Sequence, residues 1–420
     1  MIRKIRKVME VIHASAAGLD VHQKMVMACR RRLLGDGQVE VEIQEFGTTT
    51  AQLRQLAVWL QEWGVTHVAM ESTGVLWVPI WNVLEDQFKL LLANARQLRG
   101  VPGRKRDVSD AEWIAQLMQC GLLKPSFVPS KQVRHWRTLT RQRMKLNDHH
   151  TSVVNRLHKV LQQGNYKLSS VASQVLGVSG RAILQAMMNG ESDAERLAAL
   201  ARGRLKASHT DLVAALEGQL SEGERWVLKQ LWEQLTQLET EIARYDEEIR
   251  VQMSDYETVL ERLQTIDLIG RRSAENLLAE IGPDMSSFPS DAHLVSWAGL
   301  CPGSEESAKK NRSGKTPKGN PWLRRALVEP SWNAARRKDG YLGAMYRGIA
   351  ARRGGKRAVI AVARTILEAA WHILSEGVEY KELGGNYLDQ RHGEKTRNQL
   401  IKRLEKLGYD VSLTPKTATA

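Results

Sequence analysis

Apolar positions near the start of the chain recur with two different periods. In QVEVEIQEF, residues 38 to 46, apolar and polar side chains alternate for most of the length, the pattern of a half-buried strand. Residues 16 to 29, AAGLDVHQKMVMAC, read as a strand, a polar turn and a returning strand. The period then turns helical: Leu53, Leu56, Ala57 and Leu60 share one face of a segment opened by Thr48 to Thr50. HVAMES (67 to 72) is a short apolar strand, VLWVPIWNVLED (75 to 86) a helix and FKLLLAN (88 to 94) a further strand. Strands alternating with helices predict an α/β domain over residues 10–150.

From 151 to 260 the strand signals vanish. Leu228, Leu231, Leu235, Leu238, Ile242, Tyr245 and Ile249 alternate spacings of three and four, an apolar heptad seam flanked by charge. The seam suits an intermolecular coiled coil or a helical hairpin within one chain. A third region, 261–380, opens with TIDLIGRRSAENLLAEIG, where a glycine turn joins two helical patterns. WLRRALVEPSWNAARR and RAVIAVARTILEAAWHIL supply further helices. Residues 381–420 are polar and read as a mobile tail.

Composition adds one fact to this plan. The 420 residues are ordinary in apolar and charged content, but 61 Lys and Arg against 47 Asp and Glu leave a net charge of +14. Such an excess favours a polyanion, nucleic acid above all, over a basic protein with no such partner. Cys29, Cys120 and Cys301 are far apart and form no CxxC pair, so neither a disulfide framework nor a zinc knuckle is indicated, and a reducing cytoplasm fits. The basic N-terminal stretch lacks the apolar run of a signal peptide, and no uncharged apolar stretch of bilayer-spanning length is expected.

Carboxylates stand where strands end and helices begin. Asp20 interrupts an apolar strand, which is costly unless the acid is paired or bound to a cation. Glu71 leaves a strand at its C-terminal end, where α/β domains place ligands. Asp107 and Asp110, three apart at a helix start, share one face, although first-turn acids also simply suit the helix dipole, and Ser109 or Asp107 could cap the helix. Four converging acids would repel each other, and divalent Mg²⁺ removes that difficulty. Arg104, Lys105 and Arg106 are placed to hold a nucleic-acid strand. His22 and Gln23 beside Asp20 are candidates to tune a metal site, or are merely the polar residues of a turn.

The stretch AGLCPGSEESAKKNRSGKTPKGNPWLRR, residues 298 to 325, is too polar for a core. It is not a phosphate loop of the Walker type, because Lys309 stands where the first glycine is required. Its bare chemistry is that of a solvated DNA-binding loop, with Lys309, Lys310, Arg312, Lys315, Lys318, Arg324 and Arg325 as candidate phosphate contacts. GKTPKGNPWLRR also offers backbone N–H groups at a helix start as a phosphate seat. Ser304, Ser307 and Ser313 are hydroxyls with no histidine base nearby in the stretch.

GLDVHQ, MESTG and RDVSDAEWIAQL together resemble the RuvC-like domain of the insertion sequence 110 family of transposases. The likeness continues through GVSGRAILQAMMNGE and LIGRRSAENLLAEIGPDMSSF to about residue 370. It implies a RuvC/RNase H-like α/β N-terminal domain, an α-helical coiled-coil middle and a mainly α-helical C-terminal transposase domain. It further implies that Asp20, Glu71, Asp107 and Asp110 bind magnesium, as two ions, and that Ser307, just after the AGLCP block, is the nucleophile. Ser313 is the fallback and Ser304 the least favoured; Ser307-Ala308 stands in place of a frequent Ser-Gly.

What the resemblance implies for activity is a DNA transposase that cuts and rejoins strands through a phosphoserine link. Its active site is shared between protomers of a homodimer or tetramer in the bacterial cytoplasm, on the nucleoid. A structured guide RNA from the element would pair with target and donor DNA. The basic stretch KQVRHWRTLTRQRMK (131 to 145) is compatible with RNA, or is an amphipathic helix with Trp136 and Leu139 inward. Two other readings stand beside this one: a RuvC-type nuclease that uses water, and a non-catalytic nucleic-acid binder.

Overall fold

Six strands form one mixed sheet in the computed structural model, which describes residues 3–6, 10–71, 74–94, 109–171, 175–202, 208–302, 306–307, 310–311, 316–391 and 393–413. They are β1 (Arg3–Arg6), β2 (Ser15–Val21), β3 (Met25–Leu33), β4 (Gln38–Gly47), β5 (His67–Glu71) and β6 (Lys89–Ala93), in the order β1-β4-β3-β2-β5-β6. The first four pair antiparallel with their neighbours, while β5 runs parallel to β2 and β6 parallel to β5.

Helices cover both faces. Against one lie α1 (Thr50–Gln61), opened by a Thr49–Gln52 capping box, and α2 (Trp77–Leu84). They bury Leu53, Leu56 and Ile80 on Leu19, Val26 and Met70. Against the other lies α3 (Asp110–Gln119), whose Trp113, Ile114 and Leu117 pack on Ala16, Ala69 and Ala93. The central strand β2 is thus sandwiched, which explains its run of small and apolar residues.

The chain divides into two compact units, 1–128 and 129–420. The division falls at 128/129, and residue 150 lies inside α4 (Lys131–Gln163), one unbroken helix capped by Ser130. The short helices α5 to α8 follow (Leu168–Val171, Val178–Met188, Ala194–Ala199 and His209–Leu216), then α9 (Glu222–Gln252). Helices α4 and α9 run antiparallel: Trp136 Nε1 donates to the Gln252 carbonyl at 3.1 Å, and Arg156 to Gln234 Oε1 at 2.9 Å. Leu228, Leu231, Leu235, Leu238 and Ile242 bury against Val153, Leu157, Val160 and the short helices. The heptad seam is therefore filled from within the chain, as a helical hairpin.

The remainder is α10 (Glu257–Gln264), α11 (Arg271–Ile281), α12 (Asp291–Trp297), a two-stranded hairpin β7 (Glu306–Ser307) and β8 (Lys310–Asn311), α13 (Pro321–Asn333), α14 (Tyr341–Arg353) and α15 (Gly355–Glu376). By length and mean hydropathy α15 could cross a bilayer, although it is not an uncharged stretch, since Arg364 and Glu368 lie within it. Its Val359, Val362, Ala363, Ile366, Leu367 and Ala370 are instead buried, and the helix packs on α12, α13 and α14. The region expected to be a mobile tail carries two helices, α16 (Tyr387–Arg391) and α17 (Gly393–Lys406), the second with Leu400 and Leu404 exposed four residues apart; residues 414–420 lie outside the described residues.

Candidate active site

The acids Asp20 and Glu71 become neighbours through strand register. The parallel β2–β5 ladder ends with Leu19 opposite Met70, and the same register carried one residue further sets Asp20 opposite Glu71, on strands about 4.8 Å apart. Leu19 and Met70 point into the α1/α2 core. By alternation Asp20 and Glu71 take the opposite face, that of Ala16, Ala69 and α3.

Helix α3 runs antiparallel to β2 over that face. At one end the Ile12 and His13 amides donate to the Gln119 carbonyl, each at 3.0 Å. Further along, a Cβ on Gly18 would stand 2.2 Å from the Ala115 amide nitrogen and 2.4 Å from the Ala111 carbonyl. Only a glycine lets the helix lie this close, and the approach brings its first residue, Asp110, toward the Asp20 end of the strand. Ser109 is the N-cap, accepting from the Glu112 amide at 3.3 Å.

Asp20 is tolerated in its strand because it stands one residue from the end, a quarter exposed, with His22 Nε2 3.2 Å from its Oδ2. Asp107, Arg104, Lys105 and Arg106 lie outside the described residues. Among the described residues, no three His, Cys, Asp or Glu groups form a ready metal cage. The donors brought to this edge are carboxylate oxygens at a partly open strand end, and that set fits a hard divalent cation that keeps some of its water.

The serine stretch has a different construction. Gly299, at φ +70°, crosses Gly319 so closely that a Cβ on Gly299 would stand 2.6 Å from the Gly319 amide nitrogen. A Cβ on Gly319 would stand 2.1 Å from the Ala298 carbonyl oxygen. The segment between is closed at its base, and within it Ser307 pairs with Lys310 in the β7–β8 hairpin. Ser304, Ser313, Lys309, Arg312 and Lys315 lie outside the described residues.

Helix α13 then begins with Asn320-Pro321, a capping asparagine before a proline at the first helical position. The Asn320 Oδ1 accepts from the amides of Trp322 and Leu323 at 3.0 and 3.2 Å, so the helix start expected to seat a phosphate is already capped by its own side chain. Lys318 is exposed. Arg324 donates to Thr316 Oγ1 at 3.1 Å, and Arg325 makes a two-pronged pair with Asp148 at 2.5 and 2.6 Å, holding that carboxyl below its usual range.

Sequence reading missed the frame behind this loop. Arg141 grips Glu280 on α11 through bonds of 2.7 and 2.8 Å, and Asn320 Nδ2 reaches the same carboxylate at 2.6 Å. Arg143, 1% exposed, is held by Glu275 at 2.6 Å and by Asp246 and Asn276 at 2.9 Å. Arg137 donates to the carbonyls of Ala279 and Glu280. Three arginines of the 131 to 145 stretch are thereby committed inside the fold.

Two family models match the chain. Residues 17–165 match the model of the DEDD transposase of the IS110 type, and residues 260–347 that of the transposase IS116/IS110/IS902 family. A DEDD-type domain points to dependence on a divalent metal, and a transposase to DNA as a partner. No curated protein matches the chain.

Proposed function

Since the chain belongs to the IS110 family of transposases, we propose that it moves an insertion sequence by cutting DNA with Ser307 and rejoining the strands, served by an acidic metal site. The observation carrying this reading is the β2–β5 register that sets Asp20 beside Glu71 at the edge where α3 delivers Asp110. The strand order, an antiparallel meander followed by two parallel strands, supports a RuvC/RNase H-like fold for this unit.

In the proposed step the Ser307 hydroxyl oxygen attacks the scissile phosphorus. A serine–phosphate bond forms as the hydroxyl gives up its proton, the phosphorus–oxygen bond to the departing strand breaks, and that oxygen leaves as a hydroxyl by taking a proton, so the proton count is unchanged. Attack by the incoming strand's hydroxyl reverses the sequence, restores a phosphodiester and frees the serine. Asp20, Glu71, Asp107 and Asp110 would hold two Mg²⁺ ions, which when bound supply Lewis acidity toward the attacking and leaving oxygens. The acids of one protomer would serve the serine of another in a dimer or tetramer.

A structured RNA transcribed from the element is the proposed selector of target and donor sites, leaving the protein to contact backbone and shape. Its support is the family resemblance and the net charge of +14. Sequencing the nucleic acid that co-purifies tests it: recovery of no RNA from the flanking element sinks this part.

The chemistry is tested by trapping protein–DNA adducts in denaturant. Adducts that form with the native chain and vanish in Ser307→Ala are the expected result. Undiminished cleavage by Ser307→Ala would assign the reaction to water, and metal-independent behaviour throughout would leave a DNA binder without catalysis.

A further inference from the structure

Beside the serine loop lies a cleft of about 620 Å³ that no motif in the sequence reading anticipated. One wall is formed by the two ends of that loop, Pro302 before Ser307 and Thr316 after it; the other carries Arg353, Lys356, Arg357 and Arg364. Arg364 is paired with Glu368 at 2.7 Å. Among the described residues, the other three cations meet no carboxylate within ion-pair distance and are exposed to solvent.

Their placement is electrostatically awkward. Helix α15 starts at Gly355, its cap Gly354 offers no side-chain hydrogen bond, and its first turn holds no acid. Lys356 and Arg357 therefore crowd the positive end of a 22-residue helix, where an anion belongs. The floor is apolar, with Leu300, Ile349 and Ile360, and aromatic groups stand at the rim: a Cβ on Gly355 would lie 2.9 Å from the Tyr346 hydroxyl and 3.9 Å from Trp332, which is 46% exposed. A site for a lone phosphate needs neither that volume nor that floor. Alternating charged and apolar surface suits a sugar–phosphate chain.

We propose that this cleft seats the phosphate backbone of the DNA strand presented to the Ser307 hairpin. Its purpose rests on the reading of Ser307 as nucleophile, but its occupancy does not. In sequence it is the run ARRGGKRA, residues 351 to 358, whose double glycine separates two basic pairs at a helix–helix junction.

The test titrates the full-length chain and the Arg353→Ala/Arg357→Ala double variant with a fluorescein-labelled random-sequence DNA duplex at several KCl concentrations. Each lost phosphate contact lowers the slope of log affinity against log salt by about 0.9, so the double variant loses about 1.8. Lys356→Ala loses about 0.9 and Arg357→Lys nothing. Equal slopes for the native chain and the double variant overturn the proposal, as does a slope change seen with labelled RNA but not with the duplex. Adduct yield of the same protein preparations on element-end DNA, with the co-purified nucleic acid and magnesium present, separates the two readings. A slope loss in a chain that forms no serine adduct upholds the cleft and removes the Ser307 chemistry.

Discussion

Gly299 and Gly319, twenty residues apart, meet backbone to backbone at the base of the loop that carries Ser307, with no room for a Cβ on either. The contact joins the second residue of the AGLCP block to the residue before the Asn320 cap, so the loop springs from a fixed root. Gly319 itself faces the Ala298 carbonyl, a backbone atom that cannot swing away as a flexible side chain could.

Gly319→Ala is therefore expected to force the root apart. Overpacking of this kind costs about 1–3 kcal/mol, read as a shift in the urea midpoint at unchanged slope. Trapped adduct should fall far more than stability does, because the hairpin is displaced in a chain that remains folded. Native adduct yield in a Gly319→Ala chain would show that the root does not position the serine.

A second glycine acts at a distance from any reacting atom. Gly18 lets α3 settle on β2, so Gly18→Ala should lift the helix and carry Asp110 from Asp20 while leaving all four acids in the sequence. The expected outcome is loss of metal-dependent DNA cleavage together with about 1–3 kcal/mol of stability. Higher magnesium should restore part of the cleavage, since the ligands survive and only their spacing has changed. Cleavage at the native rate and native magnesium requirement would mean that this close approach does not set the acids' spacing.

These relationships mark where sequence reading ran out. The strands bearing Asp20 and Glu71 were legible because apolar alternation and the α/β order depend on short-range pattern. Register and close approach depend on segments nearly a hundred residues apart, as Gly18 and Ala115 are, and no local period records them. The 131 to 145 stretch shows a different failure. Trp136, Thr140, Arg143 and Met144 are all buried at helical spacing, so Arg143 sits on the apolar face. A count of charges places it in solvent; its partners Glu275 and Asp246, on other helices, place it inside.

Acid should weaken the first unit through His67. Its ring stacks on His13 with centroids 3.8 Å apart, and burial, then His13, then Lys89 hold its imidazole below the ordinary value. With the folded value depressed, the unfolded chain binds more protons in the window just beneath the ordinary value. The stabilisation is full above about pH 6.5 and is lost as pH falls toward the folded value. Thermal unfolding should drop over that window more steeply in the native chain than in His67→Gln. Parallel curves for the two would show that His67 does not report on folding.

The most direct consequence concerns Asp20 and its neighbour His22, 3.2 Å away. Loss of a group hydrogen-bonded to a metal ligand costs roughly 10–100-fold in metal affinity, and loss of the ligand costs at least as much. Asp20→Asn keeps the shape of the side chain and removes its charge, so magnesium binding followed by calorimetry should fall at least a hundredfold, with cleavage lost and duplex affinity kept. His22→Ala should weaken magnesium about 10–100-fold while leaving cleavage recoverable at high magnesium. The pair separates the two ways in which this strand end could matter. If His22 only terminates the turn, the His22→Ala titration will overlay the native one, and if Asp20 holds no metal, Asp20→Asn will bind magnesium as the native chain does.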